Sequence, residues 1–171
     1  MNERTGVITF QGNPLTLLGE ELKVGAKAPA FSVVDNGLAP KTLADFSGKV
    51  LIISAVPSLD TPVCDMETRR FNNEAAKLGA DIKILTLSMD LPFAQARWCG
   101  AAGVEAVQTL SDYMSSSFGE AYGVLIKELR LLSRAVFVVD KAGVVQYVQY
   151  VNEITEEPDY DSALEAARKL V

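Results

Sequence analysis

Uninterrupted apolar runs alternate along this chain with segments whose apolar residues recur at helical spacing. Residues 49–56 and 82–89 are rich in β-branched residues, which is typical of strands buried on both faces. Between them, apolar residues spaced by four and three from Phe71 predict a helix over 62–78, with Gly79 as its C-cap. A strand, a capped helix and a second strand form a βαβ unit, so the two strands should be parallel with a right-handed crossover.

The other elements follow from weaker patterns of the same kind. Two short apolar stretches around the turn Gly-Asn-Pro predict a β-hairpin over residues 5–18. Further strands are predicted at 31–34, 107–110, 131–139 and 144–151, and further helices at 91–101, 115–122 and 159–171. This order predicts an α/β protein, a thioredoxin-like fold with a mixed central sheet flanked by helices and an N-terminal β-hairpin. The length favours one domain, residues 19–171, preceded by the hairpin extension, residues 1–18.

The composition of the chain excludes several classes of partner and of catalytic site. The net charge of −6 and the pI near 4.7, without a long run of basic residues, argue against a nucleic-acid partner. The N-terminus has no secretory pattern, and no apolar run reaches the length of about 18 residues that spans a membrane, so a cytoplasmic protein with no membrane partner is expected. The chain contains no histidine, which excludes a Cys-His dyad and any histidine-ligated zinc or iron site.

Residues 55–71 join the first buried strand to the start of the helix. Pro57 ends the strand, Thr61 stands at the position of a helix N-cap, and Pro62 takes the first helical position. Cys64 is therefore expected in the first helical turn, where free backbone N–H groups and the helix dipole favour a thiolate and lower a thiol pKa. Without histidine, the activating group must be the dipole, a hydroxyl or an arginine. The alternative is a buried, unreactive cysteine.

The same residues form a recognisable motif. Pro57, Thr61 and Cys64 match the pattern P-x-x-x-T-x-x-C, within the words S-L-D-T-P-V-C and R-R-F-N. Further matching words are Q-A-R-W-C at 95–99, S-D-Y at 111–113, F-G-E-A-Y-G-V at 118–124, L-L-S-R-A-V-F-V-V-D at 131–140 and E-I-T-E-E-P-D-Y at 153–160. On these motifs, which span nearly the whole chain, the sequence resembles a peroxiredoxin of the thiol peroxidase branch, the atypical two-cysteine peroxiredoxins. A thioredoxin-like fold is what that family implies.

The resemblance also implies roles for single residues. Cys64 would be the peroxidatic cysteine and Cys99 the resolving cysteine, forming the redox disulfide Cys64–Cys99. Thr61 would hydrogen-bond the sulfur or the peroxide, Pro57 would shield the thiol, and Arg134 would be the active-site arginine. Considered alone, Thr61 is a helix cap and Pro57 a strand terminator, while Arg134 is a solvated residue whose loss would change the fold little. Considered alone, Cys99 beside a tryptophan is more typical of core packing than of redox chemistry.

The implied function is reduction of hydrogen peroxide and alkyl hydroperoxides through a cysteine sulfenic acid, with thioredoxin as reductant, in a homodimer without metal, haem or flavin. A thiol–disulfide oxidoreductase of the same fold is an alternative, although the lack of C-x-x-C argues against it. Another is a redox sensor that passes its oxidation to a partner. Since a disulfide needs Cα atoms within about 7 Å, two intact helices should hold Cys64 and Cys99 apart until one opens around residues 60–68 or 93–102.

Overall fold

The computed structural model describes residues 1–171, except for the side chain of Ala76. The strands are β1 (Glu3–Phe10), β2 (Asn13–Leu18), β3 (Ser32–Val34), β4 (Pro40–Thr42), β5 (Val50–Ala55), β6 (Ile82–Ser88), β7 (Val107–Ser111), β8 (Leu125–Ile126), β9 (Ala135–Val139) and β10 (Val145–Tyr150). The helices are α1 (Pro62–Leu78), α2 (Pro92–Ala102), α3 (Ser117–Ala121) and α4 (Tyr160–Arg168), with a 3-10 turn at Leu43–Phe46. None of the described helices has both the length and the apolar character needed to cross a membrane.

The central sheet has seven strands in the order β10-β9-β5-β6-β7-β3-β4. Strands β5, β6 and β7 are mutually parallel and the other neighbours are antiparallel, which confirms the mixed sheet and the βαβ unit. Every residue of β5 is buried, because alternate side chains point to opposite faces and both faces are covered. Ile52 packs with residues of α1 and α4, whereas Ile53 packs with residues of α3 on the opposite side.

The predicted N-terminal hairpin is confirmed, and it belongs to a second sheet. Strands β1 and β2 pair antiparallel, and β2 continues to β8, giving the order β1-β2-β8. Its inner face is a small apolar cluster of buried residues, namely Ile8, Leu17, Ile126 and Ile154. The hairpin is thus packed onto the segments on either side of β9 and β10.

A single carboxylate also ties the hairpin to the segment after β10. Glu153 accepts hydrogen bonds from the Thr155 hydroxyl (2.7 Å), the Gly12 amide (2.8 Å) and the Thr9 hydroxyl (2.9 Å). Together with the amide of Thr155, these donors favour the ionised form and lower the pKa of Glu153 to about 2. Protonating this carboxyl therefore weakens the attachment of the hairpin.

We expect the hairpin to loosen in acid, in the pH range between the ordinary carboxyl pKa of 4.5 and about 2. The folded pKa of Glu153 is depressed, so its contribution to stability is complete above that range and disappears as the pH falls through it. Amide exchange at Thr9, whose N–H donates to the Asn152 carbonyl, should report the change. The Glu153→Gln variant should exchange faster at neutral pH and lose this pH dependence. A native-like profile in the variant would contradict the prediction.

The segment before β9 departs from the expected pattern. Residues 131–134 were predicted as the start of a strand, but β9 begins only at Ala135. Instead, the amide of Ile126 donates to the Leu131 carbonyl and the amide of Ser133 donates to the Val124 carbonyl. These residues therefore pair with the region of β8, because an apolar run shows that a segment is buried but not which segment it pairs with. The short elements β4, β8 and the 3-10 turn were not predicted.

Candidate active site

Cys64 is the third residue of α1, and its side chain is fully buried at the carboxyl end of β5. It packs with Val56 and Leu59 of the β5–α1 loop and with Trp98 of α2. Pro57, between the strand and the helix, is buried as well. This edge, where the parallel strands β5 and β6 end, is where open α/β sheets place their ligand sites.

Thr61 occupies the N-cap of α1, with an extended backbone at φ −92° and ψ 148°. Its carbonyl accepts the first helical hydrogen bond, from the Asp65 amide at 3.0 Å. The side chain makes no capping bond; its hydroxyl donates to the Ser58 carbonyl at 3.0 Å. The cap position is thus confirmed for the backbone, and the hydroxyl serves instead to close the turn that leads into the helix.

The loop in front of Cys64 is held by Asp90, a residue that sequence reasoning missed. Asp90 follows β6, and its carboxylate accepts from the Ser58 hydroxyl (2.7 Å), the Leu59 amide (2.8 Å) and the Ser88 hydroxyl (2.8 Å). A carboxylate at the end of the second parallel strand was the available signal, because neighbouring parallel strands end at the same edge of the sheet.

Arg134 lies directly beside Cys64. Its Nη2 donates to the Cys64 Sγ at 3.2 Å, its Nη1 to Glu67 Oε2 at 2.5 Å and its Nε to the Ile154 carbonyl at 3.0 Å. Only 1% of the residue is exposed. The interpretation of Arg134 as a solvated residue with little effect on the fold is therefore wrong, since removing it would leave a buried carboxylate without its cation.

Glu67 is the second residue that sequence reasoning missed. It lies one turn after Cys64 on α1, is fully buried, and accepts a hydrogen bond from the Ser54 hydroxyl at 2.7 Å. Burial raises the pKa of Glu67 above its ordinary value, although Arg134 and Ser54 oppose that shift. The available signal was Ser54, a polar residue near the carboxyl end of the apolar run that becomes β5.

One guanidinium therefore faces two acids in a buried site. Burial disfavours the charge on Arg134, but attraction from Glu67 and Cys64 outweighs this effect and raises the pKa of the guanidinium, so it stays protonated. When either acid ionises, its charge is balanced, whereas a second negative charge would be unbalanced and poorly solvated. Glu67 and Cys64 are thus expected to compete for the same guanidinium.

The Glu67→Gln variant should form the Cys64 thiolate more readily than the native protein, because Arg134 then faces one acid instead of two. Glutamine keeps the size of Glu67 and an oxygen for Ser54 but removes the competing acid. Thiolate absorbance in the ultraviolet measures this, in a Cys99→Ser background so that one thiol is observed. Glu74→Gln, the same substitution nearer the other end of α1, is the control. A titration in Glu67→Gln that matches the control would show that the two acids do not compete.

Cys99 lies in the last turn of α2 and is partly exposed. Its Sγ is 3.4 Å from the Thr109 hydroxyl, which itself donates to Asn36 Oδ1 at 2.8 Å. Cys99 borders a depression of about 370 Å³ on the β7 side of α2. Both cysteines are free, and the helices that carry them, α1 and α2, are continuous.

A second depression, of about 270 Å³, opens at the start of α1. Two of the residues that line it, Leu59 and Trp98, also cover Cys64. Thr61 and Pro62 form part of its wall. The depression and the buried thiol therefore share Leu59 and Trp98 as neighbouring side chains.

Comparisons with known proteins agree with this geometry. Residues 23–164 match the Redoxin family. Over 164 residues, 96% of this chain and 98% of its relative, the sequence is 61% identical to the thiol peroxidase of Bacillus subtilis (strain 168). It is 60% identical over 161 residues, 94% of this chain and 96% of its relative, to the thiol peroxidase of Halalkalibacterium halodurans. The crystal structure of a peroxiredoxin-like protein from Aquifex aeolicus superposes with a TM-score of 0.91 at 44% identity, covering 98% of both chains. The chain therefore belongs to the redoxin family, within its thiol peroxidase branch, the atypical two-cysteine peroxiredoxins.

Proposed function

We propose that this thiol peroxidase reduces hydrogen peroxide and alkyl hydroperoxides at Cys64. The observation that carries the proposal is the contact of 3.2 Å between the Arg134 guanidinium and the sulfur of a fully buried cysteine. The Cys64 thiolate attacks the terminal peroxide oxygen, so an S–O bond forms as the O–O bond breaks. The N–H groups of Arg134 stabilise the charge that passes to the leaving oxygen, which takes up a proton and departs as alcohol or water. Cys64 is left as a sulfenic acid.

The second step assigns Cys99 as the resolving cysteine. Its thiol attacks the Cys64 sulfenic sulfur, the S–O bond breaks, and water leaves as the disulfide Cys64–Cys99 forms. A dithiol reductant, thioredoxin in this proposal, then restores both thiols by exchange. The supporting observation is that Cys99 is partly exposed, with its sulfur 3.4 Å from the Thr109 hydroxyl, rather than packed in the core. Because both cysteines must return to thiols in each cycle, the reducing cytoplasm is the compartment we assign.

Two further residues have assigned roles at the entrance. Thr61 lines the depression above Cys64, and its hydroxyl would turn from Ser58 towards the bound peroxide. Pro57 is buried in the loop between β5 and α1 and lacks an N–H, so it would limit the access of water to the thiol without adding an unpaired donor.

Cys99→Ser should consume about one equivalent of peroxide and then stall with thioredoxin as donor, because its sulfenic acid has no resolving thiol. The native protein, coupled to thioredoxin, its reductase and NADPH, should turn over continuously with hydrogen peroxide and with an alkyl hydroperoxide. Peroxide loss and NADPH oxidation measure both. Continuous thioredoxin-dependent turnover by Cys99→Ser would remove Cys99 from the cycle. Disulfide exchange with proteins without peroxide consumption by the native chain would favour the oxidoreductase alternative.

We also propose a homodimer. Four large apolar side chains remain exposed near the ends of β6 and β7, namely Leu91, Phe93, Tyr113 and Met114. The segments that follow β6 and β7 and carry these residues are joined, because the Asp112 amide donates to the Ser88 carbonyl at 2.9 Å. An exposed apolar patch of this kind is typical of an interface between copies of a chain. Sedimentation of the native protein and of Phe93→Glu tests this, and a monomeric native protein would contradict it.

A further inference from the structure

One face of α1 is bonded to the C-terminal end of α2, beside but outside the reacting groups. Asp65, Arg69 and Asn72 follow each other at spacings of four and three, so they lie on one side of the helix. Trp98 Nε1 donates to Asp65 Oδ1 at 2.9 Å, and Arg69 Nη1 donates to the Ala102 carbonyl at 3.3 Å. This face therefore holds α2 both at the turn that carries Cys99 and at its last residue.

Further contacts extend the attachment past the end of α2. Asn72 Oδ1 accepts the Ala106 amide at 2.9 Å, in the loop that leads to β7. Arg69 Nε donates to Asp65 Oδ2 at 2.9 Å, and the guanidinium carbon lies 5.7 Å from the centre of the Trp98 ring. We call this set of contacts the α1–α2 clasp, formed by Asp65, Arg69, Asn72, Trp98, Ala102 and Ala106.

The clasp immobilises the segment 98–106, which contains Cys99. Within it the Cys99 carbonyl accepts the Val104 amide at 3.1 Å as well as the amide of Gly103, which ends the helix. The Cys99 thiol points to Thr109 of β7, whereas Cys64 is covered by Trp98 on the other side. Cys99 can therefore attack Cys64 only after this segment has left its helical, β7-facing arrangement.

We propose that the α1–α2 clasp sets the rate at which Cys99 reaches the Cys64 sulfenic acid, and so divides that acid between two fates. The inference rests on the proposed function, in which these two cysteines form the disulfide. In one fate, Cys99 displaces water from the sulfenic sulfur and the disulfide forms. In the other, the Cys64 sulfenate attacks a second peroxide molecule, so that another S–O bond forms, an O–O bond breaks, and a sulfinate and an alcohol or water result.

Position along the chain explains why these particular residues would control the step. Asp65 directly follows Cys64, and Trp98 directly precedes Cys99, so their hydrogen bond joins the two backbones beside the reacting thiols. Unwinding either helix end must break it. Asp65 and Arg69 are partly exposed, with 34% and 48% of their side-chain surface accessible, so each contact is moderate in strength. Removing one contact should raise the open fraction of the segment by about tenfold.

Two adjacent arginines on α1 provide a matched test. Arg69 contacts α2, whereas Arg70 contacts α4, through Asp161 at 3.1 Å and the Tyr160 ring at 5.0 Å. After one equivalent of hydrogen peroxide, the Arg69→Gln variant should form the disulfide about tenfold faster than the native protein. Arg70→Gln should form it at the native rate. Thiol alkylation at timed intervals followed by mass spectrometry measures the disulfide, and the same samples at excess peroxide measure the sulfinate, which should decrease in Arg69→Gln.

The Trp98→Phe variant provides a second measurement, because it removes the donor to Asp65 and keeps an aromatic ring over Cys64. It should also speed disulfide formation, and amides of residues 98–106 should exchange faster in its reduced form. Consumption of the first peroxide should be native-like in the Arg69 variant, which separates this step from general damage to the fold. Equal disulfide rates in Arg69→Gln and Arg70→Gln, or slower rates in Arg69→Gln and Trp98→Phe, would overturn the inference. Failure of the native protein to consume peroxide would instead overturn the proposed function.

Discussion

The Arg134→Met variant should reduce peroxide roughly 100- to 1,000-fold more slowly than the native protein, which is the usual cost of losing one preorganised donor to a developing oxyanion. Arg134 contacts the Cys64 sulfur at 3.2 Å, and methionine fills a similar volume without charge or N–H groups. The thiolate should also form at higher pH in the variant, because its counter-charge is gone. Stopped-flow peroxide consumption and thiolate absorbance against pH measure the two effects.

The same substitution should cost about 3–5 kcal/mol of the free energy of unfolding, since it leaves the buried Glu67 without its ion pair. This loss can be separated from the loss of rate. In the double variant Arg134→Met, Glu67→Gln the buried charge is absent, so most of the stability should return while the rate stays low. Urea unfolding of the native, single and double variants tests the first part. Recovery of the rate together with the stability would mean that Arg134 acts only through the fold.

The Cys64→Ser variant should lose peroxidase activity altogether, including the first turnover. A serine hydroxyl stays protonated near neutral pH, whereas the thiolate is the species that attacks the peroxide. The fold should persist, because serine replaces only one atom in a site whose other walls, Val56, Leu59 and Trp98, remain. Peroxide consumption in a single turnover, compared with Cys99→Ser, is the decisive measurement. Equal activity of the two variants would remove Cys64 from its assigned position as nucleophile.

The sequence predicted the secondary-structure elements that carry Cys64 more completely than it predicted the side chains that contact this residue. The βαβ unit from β5 to β6 is confirmed, because each element repeats apolar residues at its own period and carries its own end signals. The position of Cys64 in the first turn followed from Thr61 and Pro62, which are local in the chain. Such patterns show which residues are buried and in which type of element.

The partners of Cys64 could not be found in this way. Arg134 and Cys64 are distant in the sequence, and only the pairing of β9 with β5 brings them together. Glu67 is a charged residue that periodicity alone assigns to a helix surface, yet it is buried because Arg134 and Ser54 satisfy its oxygens. Burial of a charge depends on a partner from another element, which local patterns do not encode.

The pairing of β5 with β9 has a consequence for folding specificity. Apart from Ser54, both strands are apolar and buried on both faces, so a shift of one residue would still place mostly apolar side chains on each side. The observed register sets Ala55 opposite Ala135, which puts Arg134 within reach of Glu67. In any shifted alignment that ion pair would be broken and its charges buried alone. We therefore expect Arg134, through its ion pair with Glu67, to select one strand alignment during folding among several of similar hydrophobic content.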